Sequence, residues 1–76
     1  MDIWKAIQDE RRRQDAKWGR PSHSSQYWLV ILIEEVGEIA QAILQRKLDE
    51  YVTALIQAAA VIVAMLEAEG WEPSSQ

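Results

Sequence analysis

The chain has 76 residues, no cysteine and a formal net charge of -4, which limits it to one domain and leaves out disulfides and thiolate metal sites. A hydrophobic fraction of 49% argues against disorder, and the acidic balance argues against a nucleic-acid-binding surface. A domain this small buries a limited share of its surface, so tight helix packing or association with further copies has to supply stability.

The first predicted element is a helix from Asp2 to Lys17. Asp2 serves as N-cap, and Ile3, Trp4 and Ile7 form a short apolar stripe. The stretch QDERRRQDAK is polar, and WGRPSHSS, with Gly19 and Pro21, ends the helix. The opening MDIWKAIQDE is acidic and lacks a continuous apolar run, unlike a signal peptide. Trp4, Trp28 and Trp71 read as packing residues.

A second helix starts at Ser24 or Ser25, both good caps, and continues to about Gln45. RKLDE is a short polar connection in which Asp49 caps a third helix. That helix runs to Glu69 and stops at Gly70. Residues 1–70 form the domain and 71–76 a tail. No strand alternation or internal repeat is visible. The nearly apolar run Ala54–Leu66, interrupted by Gln57, is shorter than the roughly 20 residues a membrane span needs. The sequence therefore predicts a soluble, cytoplasmic protein. Within that run, apolar residues cover every side of the helix, which calls for burial on every side. Two further helices cannot supply it. The expected architecture is all-α, with three helices per chain and the bundle completed as a homodimer or homotetramer.

The stretch LIEEVGEIAQAIL places Glu34, Glu35 and Glu38 in the middle of the second helix. Glu34, Glu38, Gln41 and Gln45 line one narrow stripe, and Glu35 falls within about 100° of it. Leu29, Leu32, Val36, Ile39 and Ile43 form the expected core face opposite. A solvated polar face is one reading. Two features favour the other, a site for a hard divalent cation. No lysine or arginine lies between Gln26 and Gln45 to relieve the repulsion, and Val30 and Ile31 sit one turn before Glu34. Mg²⁺ takes one or two carboxylates, several waters and substrate phosphate oxygens.

EEVGE matches the EExxE motif of the MazG-like, all-α nucleoside triphosphate pyrophosphohydrolases. With ERRRQDAKWG before it, HSSQYWLVILIEEVGEIAQAIL around it and LIQAAAVIVAMLEA after it, the chain resembles the small phage and bacterial members from about Asp9 to Ala68. The resemblance implies hydrolysis of a (d)NTP to the (d)NMP and pyrophosphate with Mg²⁺, or Mn²⁺ in its place. Glu34, Glu35 and Glu38 would supply metal ligands and orient the attacking water. Lys17 and Trp18, which match the KWG segment, would lie on the substrate side, Lys17 toward phosphate and Trp18 toward the base, with packing at the end of the first helix as the other reading of Trp18. His23 and Arg11 are further substrate-side candidates; the other readings are a capping or loop group for His23 and a pair across to a carboxylate for Arg11. The family's next helix carries ExxD, where this chain has Ala54 and Gln57. Gln57 keeps an oxygen, and Glu50, one turn earlier, is a substitute acid. These replacements leave two other readings open: a weakened or inactive member that binds nucleotide or metal, and a structural helical oligomer.

Overall fold

In a computed structural model that describes residues 1–19 and 22–72, the chain forms α1 (Ile3–Trp18), α2 (Ser25–Leu44) and α3 (Leu48–Ala68). No strand occurs among the described residues. Pro21 and residues 73–76 of the tail lie outside them.

The helix starts follow from local hydrogen bonding. The Asp2 carboxylate accepts from the Lys5 amide at 3.1 Å, and the Ser24 hydroxyl accepts from the Tyr27 amide at 3.2 Å. Each satisfies one of the unpaired first-turn donors. The start of α3 corrects the sequence reading. Its N-cap is Lys47, with no side-chain cap bond, and Asp49 lies in the first turn beside Glu50. There both acids complement the positive end of the helix dipole without being used as caps.

The link between α2 and α3 closes in a Schellman arrangement. The Lys47 amide donates to the Ala42 carbonyl and the Arg46 amide to the Ile43 carbonyl, both at 3.1 Å. Arg46 takes φ 55°, a left-handed position usually given to glycine. At the end of α3 the same pattern recurs with Gly70 at φ 90°. The short link makes α2 and α3 antiparallel neighbours.

α3 is the central helix: α1 and α2 each pack on it and not on each other. Its buried residues are Ala54, Ala58, Ala60, Val61 and Ala64, small enough for close helix approach on two sides. Trp28, Val61 and Ala64 form the core, with Ile31, Leu32 and Met65 packed around it. Arg11 of α1 is only 8% exposed. Its Nε donates to Glu67 of α3 at 2.8 Å and its terminal nitrogens to Asp15 at 3.0 Å and Gln14 at 3.3 Å.

Three expectations are corrected here. Trp4 and Trp71 do not pack against the rest of the chain; they are 76% and 70% exposed. The inward face of α2 is Trp28, Leu32, Glu35, Ile39 and Ala42, while Leu29, Val36 and Ile43 are exposed. α3 spans 21 residues of high hydropathy, so by length and composition alone it could cross a membrane. The apolar run read from the sequence understated it, because Leu48, Tyr51 and Val52 extend the apolar character toward the N-terminus.

Candidate functional site

The antiparallel α2–α3 pair leaves a cleft of about 380 Å³ at the end nearest their link. Glu38, Gln41 and Ala42 line it from α2. Asp49, Glu50, Thr53, Ala54 and Gln57 line it from α3. Helical spacing explains the set, since residues three, four and seven apart share a face. Three of the expected metal-site residues, Glu38, Glu50 and Gln57, therefore meet in one cleft. So does Ala54, at 4% exposure, where the resemblance places an acid. Asp49 reaches the cleft because it does not cap α3. The Glu50 carboxylate is partly met by Lys47, at 3.6 Å.

Glu35 sits one turn before Glu38, on the inward seam of α2. Its Oε2 is buried and makes no hydrogen bond. Burial raises its pKa above the ordinary carboxylate range, and the charges of Glu38, Glu10 and Glu34 and a hydrogen bond shared with Glu38 push it the same way. Glu34 is exposed on the far side of this pair. Among the described residues, no three Asp, Glu or His side chains converge closely enough to hold a bare ion as they stand. The orphaned Glu35 oxygen and the mutual repulsion of the cluster are nonetheless what a cation would relieve.

α1 adds two groups that the sequence reading did not assign to the site. Glu10 contributes to the field at Glu35, and Arg13 is attracted by Glu35 in turn. Arg13 is exposed and grips Glu10 through two hydrogen bonds, Nε to Oε1 at 2.8 Å and a terminal nitrogen to Oε2 at 2.7 Å. Gln14 donates to the same Glu10 oxygen at 3.2 Å. The i,i+3 and i,i+4 spacing of Glu10, Arg13 and Gln14 was readable, but which way that face of α1 points was not.

The expected substrate-side residues are dispersed. Arg11 is committed to Glu67, Asp15 and Gln14. Lys17 lies over the Trp18 ring, 4.8 Å from its centroid, and both are exposed. His23 stands 4.5 Å from the Tyr27 ring and 4.9 Å, edge-on, from Trp28. None of these lines the α2–α3 cleft.

No protein-family model, curated protein or solved structure matches the chain. Its functional reading therefore rests on the residues themselves.

Proposed function

We propose that the protein is a Mg²⁺-dependent nucleotide pyrophosphohydrolase, converting a (d)NTP to the (d)NMP and pyrophosphate, that works as a soluble, cytoplasmic homodimer or homotetramer. The observation that carries this reading is the buried, unpartnered Glu35 oxygen in the α2 seam, one turn from Glu38, which lines a cleft with Glu50, Asp49 and Gln57. Glu35 and Glu38 would hold the metal, with Glu34, Glu50 and Gln57 completing the shell directly or through water. Bound there, Mg²⁺ would supply charge neutralisation to the triphosphate.

The protein's own part is positioning. Glu38 would accept a hydrogen bond from water at the cleft edge, while Glu35, held in the seam, keeps its carboxylate fixed. Arg13 braces Glu10 and offsets the acid charge from α1. The exposed Lys17–Trp18 pair offers a cation and a stacking surface to a nucleotide that extends out of the cleft. Gln57, in the middle of α3, favours a soluble helix over a membrane-spanning one, since a polar group inside a bilayer is costly.

One observation favours a second reading, a nucleotide- or metal-binding protein without turnover. Ala54 occupies the floor of the cleft where the resemblance expects a carboxylate. Pyrophosphate release from a panel of NTPs and dNTPs, with and without Mg²⁺, separates the two. Mg²⁺-dependent release supports the enzyme; nucleotide binding without release supports the second reading.

A further inference from the structure

The outward face of α2 has no partner within the protomer. Leu29, Val30, Ile33, Val36, Ile43 and Leu44 are all more than half exposed, with Ile33 at 58%. Apolar residues so placed on one helix form a patch larger than scattered surface hydrophobics explain. Their spacing has a further property. Counted outward from the midpoint between Val36 and Gly37, the positions mirror each other: Val36 with Gly37, Ile33 with Ala40, Val30 with Ile43, Leu29 with Leu44. A twofold axis requires such self-complementarity, because the same patch must face itself.

Gly37 gives a second observation. A glycine inside a helix is unfavourable relative to alanine. Here a Cβ at Gly37 would meet nothing within 4 Å, so no neighbour in the protomer requires it. A helix crossing closely from outside would. The surface area points the same way. A folded monomer of this 8.7 kDa mass is expected to expose about 4,700 Å². The protomer exposes 5969 Å², an excess on the order of 1,000 Å², where a standard interface takes about 800 Å² from each partner.

We propose that α2 is the subunit interface, pairing antiparallel with α2 of a second copy about a twofold axis between Val36 and Gly37. In that register Ile33 meets Ala40 of the other copy, and large residues face small ones at the crossing. The two acid clusters come level with each other along the pair, each on the side of its α2 turned away from the interface. The inference rests on the self-association proposed above and not on hydrolysis; pyrophosphate release can fail while the interface holds.

The natural chain has no cysteine, so single-cysteine variants report cleanly. Val30→Cys mixed with Ile43→Cys should cross-link with a short bis-maleimide reagent, while either variant alone should not. Sedimentation equilibrium of the native chain should give at least twice the 8.7 kDa chain mass. Ile33→Glu should weaken association at least 100-fold, and Ile62→Glu on α3 should leave the α2-paired dimer intact. A native monomer overturns the proposal, as does a Val30→Cys self-cross-link, which would mean a parallel pair. An oligomer in which the mixed pair fails to cross-link overturns it as well.

Discussion

Glu35 and Glu38 stand one turn apart on α2, and the charge of Glu38 adds to the burial that raises the Glu35 pKa. One of the two carboxyls is thus set in the packing seam, and the other at the mouth of the cleft. The pair is costly to the fold as it stands, because burial and the neighbouring carboxylates disfavour the charged form of Glu35.

The first prediction follows from the sign of that shift. A carboxyl whose folded pKa lies above its unfolded value binds its proton more tightly in the folded state. Its contribution to stability is complete in acid, below about pH 4, and is lost as pH rises through the folded pKa. Glu35→Gln should therefore raise the melting temperature at pH 7 by a few degrees, on the scale of about 4–8 °C per kcal/mol for a small domain. The gain should vanish toward pH 4. With millimolar Mg²⁺ the order should reverse, the native protein gaining and the variant not. Melting curves at both pH values, with Mg²⁺ and with EDTA, read all of this.

Arg11 should behave as a structural residue. Removing it takes one charged donor from Glu67 and one from Asp15, and hydrogen bonds to charged groups are worth about 1.5–3 kcal/mol. Arg11→Met should lower unfolding free energy by about 2 kcal/mol in urea titrations. It should leave KM for nucleotide unchanged in the folded fraction. A raised KM with unchanged stability would return Arg11 to the substrate side.

At Arg46 a non-glycine residue holds φ 55°. The left-handed conformation costs an L-residue about 1–2 kcal/mol, partly offset by the greater chain entropy of glycine when unfolded. Arg46→Gly should stabilise the protein by about 0.5–1 kcal/mol, measured as a higher urea midpoint with an unchanged slope.

The cleft floor gives an asymmetric pair. Gln57→Asp adds a carboxylate at a half-buried position and should tighten Mg²⁺ binding, read by calorimetry. Ala54→Glu forces a long acid into a site that is 4% exposed and should lower the melting temperature in EDTA, since overpacking costs about 1–3 kcal/mol. If Mg²⁺ restores the Ala54→Glu melt to the native value, the new acid has reached the ion.

Much of the fold was legible because its signals are local. Asp2 and Ser24 cap where side-chain oxygens can reach first-turn amides, and Gly70 ends α3 by supplying a positive φ. The α2 seam was not legible, because Leu29, Leu32, Val36, Ile39 and Ile43 also make an apolar stripe at helical spacing. Only the position of α3 shows that Glu35 is turned inward and that Leu29, Val36 and Ile43 are left outside. Asp49 failed as a cap for a related reason: the Schellman turn at Arg46 starts the helix early and moves Asp49 into its first turn. That Glu50 and Gln57 line one cleft was legible, because i,i+7 spacing puts them on one face whatever the packing. The role of Glu10 and Arg13 depends on how α1 lies against α3, which no local pattern in the sequence encodes.

The most direct test of the central claim is pyrophosphate release measured side by side for the native protein and Glu38→Gln, at saturating dNTP with Mg²⁺ and with EDTA. The account predicts release by the native protein in Mg²⁺ alone, with a loss of at least 100-fold in Glu38→Gln at unchanged helix content. Equal release by the two proteins, or native release that persists in EDTA, would contradict it.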